Sequence, residues 1–182
     1  MEDSGGSGRE IVVPISVFGH LRRELEKETG SLPATHALHA AGYASGQAAS
    51  AAFTEGLARS VTSLPQEAFW ARLRTFFARR GWGTLSPEPA RLGVGFLTST
   101  DWAEAEADAA EVDSDASCSF TSGFLAGLLS QVAGAPIAVL EVQCRTRGDA
   151  RCKFAFGSEG VVHELYGQLL EGTDLDRALS VG

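Results

Sequence analysis

Three cysteines, Cys118, Cys144 and Cys152, are the residues of this 182-residue chain whose type and spacing could hold a metal ion. Cys144 and Cys152 lie on either side of residues 147–149, in two runs rich in β-forming residues. If residues 147–149 form a three-residue hairpin loop, the two cysteines face each other with Cβ atoms about 4.5–5.5 Å apart. Two thiolates at that separation can bind one ion at Zn–S distances of about 2.3 Å. The hairpin therefore predicts a two-ligand clip.

The surroundings of this pair indicate whether a metal there would be shielded from water. Alternation along the strands predicts that the face bearing the cysteines also carries four apolar side chains, so the pair points toward the core. Cys118, at the start of an apolar helix, could supply a third thiolate. Free cysteines are also common as small buried hydrophobes, and the spacing alone leaves both interpretations open. The four apolar residues are Leu140, Val142, Phe154 and Phe156.

The elements that must position these residues follow from the hydrophobic periodicity. Helical spacing predicts helices over 17–29, 33–58, 66–80, 119–132 and 161–170. Runs of β-forming residues predict strands over 82–85, 91–97, 137–145 and 151–156, with Pro87-Glu88-Pro89 as the turn of the first pair. Helices followed by strands around one helix and a terminal helix are compatible with an α+β fold.

Three further segments carry specific expectations. Residues 1–9 are rich in glycine and serine and are predicted to be a mobile tail, which leaves 10–182 as a single domain. Gly42 and Gly46 in the second helix predict close helix packing. Residues 101–117 contain seven acidic residues and no basic one, so this run is predicted to be exposed to solvent.

Composition and charge exclude several classes of function. A net charge of -8 and a pI near 5.0 would repel phosphate backbones, so nucleic acid is not expected as a partner. No apolar run approaches the roughly 20 residues that span a bilayer, and the N-terminus lacks the features of a secretory signal. We therefore expect a cytoplasmic protein, in which the cysteines remain thiols or bind a metal.

The C-terminal part of the chain resembles the 4-vinyl reductase domain family, hydrocarbon-binding domains also found as the aromatic-sensing part of some bacterial transcription activators. The resemblance implies an α+β fold with an antiparallel sheet packed against several helices, similar to subunits of a Golgi vesicle-tethering complex. It also implies a homodimer. The segments that carry it are Cys118, Gly123-Phe124-Leu125-Ala126-Gly127, Glu141-Val142-Gln143-Cys144 and Arg147-Gly148-Asp149-Ala150-Arg151-Cys152-Lys153-Phe154.

The resemblance implies that zinc is held at the C-terminal hairpin by three cysteines and a glutamate, matched here by Cys118, Glu141, Cys144 and Cys152. In a regular strand, the three-residue offset between Glu141 and Cys144 would place their side chains on opposite faces. A bulge or a strand end at Gln143 is therefore expected to reorient Glu141.

An apolar pocket for a small aromatic or hydrocarbon ligand is a further implication of the resemblance. The pocket would lie between sheet and helices near the zinc, with the Trp102 indole N–H as an orienting donor. We therefore expect a ligand-binding or sensor module that acts through a dimer or a separate partner. Aromatic residues in such places are also common in ordinary cores. The candidate lining residues are Phe96, Trp102, Phe120, Phe124 and Tyr166.

Two other functions are considered beside the sensor. The family's name suggests an enzyme or accessory factor in tetrapyrrole vinyl reduction. The sequence has no Gly-x-Gly-x-x-Gly turn for a nicotinamide or flavin and no recognisable nucleophile–base arrangement. A zinc with four protein ligands would also leave no open position for a substrate. The third candidate is a scaffold that works through protein contacts without a ligand, as the vesicle-tethering relatives do.

Overall fold

A four-stranded antiparallel sheet forms the centre of the computed structural model, which describes residues 10–58, 60–107 and 118–180. Helices cover both faces of the sheet, which confirms the predicted α+β fold. The proposed tail and residues 108–117 of the acidic run lie outside the described residues. The strands are β1 (Ser86–Arg91), β2 (Val94–Ser99), β3 (Ala138–Gln143) and β4 (Cys152–Gly157), in the spatial order β1-β2-β4-β3.

Seven α-helices occur in the described part of the chain, and the five longer ones correspond to the predicted helices within a few residues. The two one-turn helices were not predicted, because such short elements carry no helical periodicity. None of the described helices is long and apolar enough to cross a membrane. The helices are α1 (Ser16–Thr29), α2 (Ser31–Thr54), α3 (Gln66–Ala78), α4 (Ala103–Glu106), α5 (Ser119–Ala133), α6 (Glu159–Leu170) and α7 (Leu175–Ala178).

The first hairpin differs from the prediction, which placed strands over 82–85 and 91–97 with a turn at 87–89. Strand β1 instead runs through both prolines, and the chain turns at Leu92 and Gly93, whose φ angles are +50° and +80°. Proline is tolerated in β1 because this strand lies at an edge of the sheet, where missing N–H donors break no ladder. The prolines are therefore part of a strand.

The second hairpin is shifted by one residue along most of its length. Glu141 lies opposite Phe154, whereas a three-residue loop would place Val142 there. A bulge between Glu141 and Gln143 then shifts the pairing by one residue. The connection is also longer than predicted, because residues Arg145–Arg147 form a 3₁₀ turn that ends at Gly148.

The two faces of the sheet bury different clusters. One face, which we call the cysteine face, carries Leu97, Phe154 and Phe156 and packs against α2, α3 and α5. The opposite, outer face packs against α6 and α7. Leu140 and Val142 lie on the outer face, so their predicted place beside the cysteines was wrong, because the one-residue shift reverses the direction of a strand's side chains.

Helices α2 and α5 approach each other closely through glycines on both. A Cβ atom on Gly42, Gly46, Gly123 or Gly127 would lie 2.0–2.1 Å from a backbone carbonyl oxygen of the other helix. No side chain fits into that space, so the predicted close packing at Gly42 and Gly46 is confirmed. The contact holds α5, and with it Cys118 at the start of α5, in a fixed position.

Candidate metal centre

Three thiols and one carboxylate converge where the N-terminus of α5 reaches the second hairpin. One sulfur or carboxylate oxygen from each of Cys118, Glu141, Cys144 and Cys152 lies within 4.8 Å of the others. The Cys118 Sγ is 3.9 Å from the Sγ of Cys144 and 3.9 Å from that of Cys152. Two sulfurs bound to one tetrahedral zinc would be about 3.8 Å apart. The arrangement therefore has the dimensions of a tetrahedral metal site.

The bulge in β3 explains how Glu141 joins the cysteines. Because the pairing is shifted up to this point, Glu141 lies opposite Phe154, whose side chain is on the cysteine face. The bulge before Gln143 then adds one residue, so that Cys144 also reaches this face. The bulge expected from the three-residue offset is thus confirmed.

Glu141 offers one carboxylate oxygen for a metal. Its Oε2 accepts the backbone N–H of Cys118 at 2.8 Å. Its Oε1 is buried and has no hydrogen-bond partner among the described residues. A buried polar atom without a partner costs about 1–3 kcal/mol, and more when it is charged, so a bound cation would remove a real penalty. Three sulfurs and one oxygen, all shielded from water, form a donor set that suits zinc.

The pKa values show how protons are distributed among these groups. Hydrogen bonds to Cys144 and Cys152, together with burial, raise the pKa of the Cys118 thiol. Burial raises the pKa of the Glu141 carboxyl, and the negative charge of Cys144 adds to this shift. Hydrogen bonds from the other two thiols lower the pKa of Cys144. Metal ligands must be deprotonated, so a divalent cation would take the place of the shared protons.

The loop after β3 supports Cys144 directly. Asp149 Oδ2 accepts the backbone N–H of Cys144 at 2.7 Å, and the N–H of Asp149 donates to the Cys144 carbonyl at 3.1 Å. The Cys144 thiol donates to the buried Thr146 hydroxyl at 3.5 Å. Such outer bonds orient the groups that hold a metal. The Gly-Asp turn therefore has a structural purpose at this site.

The candidate pocket residues do not all meet in one place. Trp102, Phe120 and Phe124 gather around Trp82, whose ring stacks on Phe120 with centroids 5.9 Å apart and on Trp102 at 5.8 Å. We call these four residues the aromatic cluster. Phe96 instead lies on the outer face, because alternation along β2 sends its side chain there. Tyr166 is 45% exposed on α6, which covers the outer face.

The Trp102 indole N–H already has a partner inside the protein. It donates to the Thr121 hydroxyl oxygen at 2.7 Å, and that hydroxyl donates to Glu104 Oε2 at 2.5 Å. The two residues, Trp102 and Thr121, therefore join the aromatic cluster to the first turn of α5. A ligand that uses the indole N–H would compete with Thr121 for it.

Glu104 is a buried residue that the sequence did not reveal. It belongs to the acidic run predicted to be exposed, yet it is only 8% exposed, so the prediction was wrong at this position. Its carboxylate accepts the backbone N–H groups of Phe120 at 3.0 Å and Thr121 at 2.8 Å. Burial raises the pKa of Glu104 to about 7, although these hydrogen bonds oppose the shift. Its apolar neighbours Trp102, Ala103 and Ala105 were the available signal.

Residues 103–158 match the model of the 4-vinyl reductase domain family. This segment contains all four residues of the metal cluster as well as Glu104 and Thr121. The match confirms the resemblance found in the sequence between Cys118 and Phe156. No curated protein matches the chain.

Three solved structures are similar to the chain in fold. The phenol-responsive sensory domain of the transcription activator PoxR, solved with phenol, is 17% identical, with a TM-score of 0.72 over 91% of this chain and 83% of that one. A trafficking protein particle complex subunit 3 from Naegleria fowleri, covalently bound to palmitic acid, is 13% identical (TM-score 0.64; 79% and 91%). A vinyl-4-reductase family protein from Methanocaldococcus jannaschii is 18% identical (TM-score 0.52; 81% and 82%). At these identities, the likeness shows a shared fold.

Proposed function

We propose that this chain is a zinc-containing module that binds or senses a small hydrophobic or aromatic molecule. The observation that carries the proposal is the buried cluster of Cys118, Glu141, Cys144 and Cys152. Four protein ligands would saturate zinc, so its role is structural: it joins α5 to the second hairpin. The match to the 4-vinyl reductase domain and the phenol-bound PoxR neighbour support binding of a small molecule.

The ligand site that we propose is the aromatic cluster. Trp102, Phe120 and Phe124 are retained from the sequence-based candidates, and Trp82 is added because it stacks on two of them. Phe96 and Tyr166 are left out of the site, because they lie on the outer face and on α6. An aromatic ligand with a hydroxyl group could accept the Trp102 N–H in place of Thr121. Ligand binding and the position of α5 would then be linked.

We further propose that residues 10–182 form one domain that acts as a homodimer or through a separate partner. Apolar side chains are unusually exposed near the N-terminus: Ile11 is 84%, Val12 102% and Leu32 66% exposed. Exposed apolar patches mark interaction surfaces, which supports an interface here. A cytoplasmic location would keep the three cysteines reduced and able to bind zinc.

Metal analysis and phenol titration of the purified chain test the proposal. We expect one zinc per chain and a change of tryptophan fluorescence when phenol is added as the probe. Native mass spectrometry should show a zinc-loaded dimer. An empty, zinc-loaded dimer that ignores phenol and retains no small molecule would favour the scaffold instead. A folded chain without stoichiometric metal would contradict the zinc site.

A further inference from the structure

We infer that Glu104 is a positioning residue for the metal centre, and that it acts through the first turn of α5. The inference rests on the proposed zinc site, because it concerns how one ligand of that site is held. Glu104 lies in α4, fourteen residues before Cys118 and far from the second hairpin in sequence. It would act on Cys118 through the backbone.

The N-terminus of α5 needs caps that its own sequence does not supply. The first N–H groups of a helix have no partner within the helix and are normally bound by the side chain of the N-cap residue. Here the N-cap is Cys118, whose side chain makes no capping hydrogen bond. Its sulfur is directed to Cys144 and Cys152 instead. A thiol committed to the metal cluster leaves the helix end to be capped from elsewhere.

Two buried carboxylates from distant parts of the chain supply these caps. Glu141 accepts the N–H of Cys118, and Glu104 accepts the N–H groups of Phe120 and Thr121 with one oxygen each. A carboxylate is also favoured at this end of a helix by the helix dipole. The first turn of α5 is thus held by Glu141 on the side of the metal and by Glu104 on the side of α4.

The burial of Glu104 makes this arrangement sensitive to small shifts. The residue is 8% exposed, and three hydrogen bonds tie its carboxylate to the first turn of α5. A rotation of that turn would break these bonds around a buried carboxylate, which is costly. Zinc in turn requires Cys118 Sγ at about 2.3 Å, so a turn held in place favours binding. Glu104 therefore preorganises the Cys118 ligand.

The test measures zinc affinity in the full chain by competition with a chromophoric chelator. Glu104→Gln keeps the shape of the side chain but points an amide N–H₂ at one of the two backbone N–H donors. We expect zinc binding to weaken about 10–100-fold, as is usual when an outer group that orients a ligand is lost. The absorption bands of the Co²⁺-substituted protein should also change, because the position of one thiolate changes.

Two further variants keep the inference open to contradiction. Leu165→Ala removes a buried side chain on the outer face and should lower stability without changing zinc affinity. Thr121→Val removes the hydroxyl that donates to Glu104 but keeps the backbone bonds, so we expect a several-fold weaker affinity, and this variant decides the matter if Glu104→Gln does not fold. Zinc affinity within twofold of wild type with an unchanged Co²⁺ spectrum, or an equal loss in Leu165→Ala, would overturn the inference. A wild-type chain that binds no zinc would instead overturn the proposed site.

Discussion

The cysteine face and the outer face belong to the same four strands, yet they are held together in different ways. On the cysteine face, buried thiols, Glu141 and the Trp102 hydrogen bond are directional contacts that depend on exact positions. On the outer face, Phe96, Ala155 and Leu165 form an apolar cluster without such bonds. Polar chemistry is therefore confined to one face, and substitutions on the two faces should fail by different routes.

The largest effect is expected when the metal cluster loses a ligand. Cys152→Ser removes one thiolate, and should lower the free energy of unfolding by about 4 kcal/mol when free zinc exceeds the wild-type Kd about 1,000-fold. Urea denaturation with and without a chelator measures this loss. The chelator should bring the wild type down to the level of the variant. A wild type whose unfolding ignores the chelator would break the contrast between the faces.

The matched change on the outer face should act through packing alone. Leu165 is 4% exposed, and Leu165→Ala should lower the free energy of unfolding by about 3 kcal/mol through the cavity it leaves. The same urea experiment should give an equal loss in the presence and absence of the chelator. If the loss depended on zinc, the outer face would be coupled to the metal and the contrast would have to be revised.

A smaller effect is expected at the link between the aromatic cluster and α5. Trp102→Phe keeps an aromatic ring but removes the N–H that donates to Thr121, at a cost of about 1–2 kcal/mol. Phenol titration followed by calorimetry should also show weaker binding. Trp70→Phe is a suitable control, since the Trp70 N–H has no hydrogen-bond partner among the described residues. Equal phenol affinity in both variants would argue against a site at Trp102.

The smallest effect is expected at Tyr166 on α6. Its side chain is 45% exposed, so Tyr166→Ala should change the free energy of unfolding by no more than about 0.5 kcal/mol. Phenol affinity should remain that of the wild type, because the residue lies apart from the aromatic cluster. A clear loss of phenol binding in this variant would move the ligand site to the other side of the sheet.

Residue types near the C-terminus made the metal site predictable in part. Three cysteines, the family resemblance and the three-residue offset of Glu141 led to the four ligands and to a bulge in β3. The offset was informative because strand geometry allows only one way to bring both side chains to one face. The pocket was less predictable, because Phe96 and Trp102 are equally apolar in sequence and only strand direction separates them.

Errors were largest wherever a local pattern had two structural solutions. Residues 87–89 contain two prolines, which suit a turn as well as an edge strand, and the neighbouring strand decides between them. The hairpin loop at 145–148 could have been short, but its 3₁₀ turn shifted the pairing and moved Leu140 and Val142 to the outer face. A shift of one residue is invisible in the sequence and reverses every side chain of a strand.

The amino-acid sequence by itself determined the longer helices, the α+β class and the identity of the four candidate metal ligands, because periodicity, glycine positions and thiol chemistry are local properties. Only the tertiary structure decided the register of β3, the division of the aromatic residues between two faces and the burial of Glu104. Each of these depends on a contact between segments distant in sequence. For Glu104 that contact is the uncapped end of α5, whose N–H groups make a buried carboxylate favourable in an otherwise exposed acidic run.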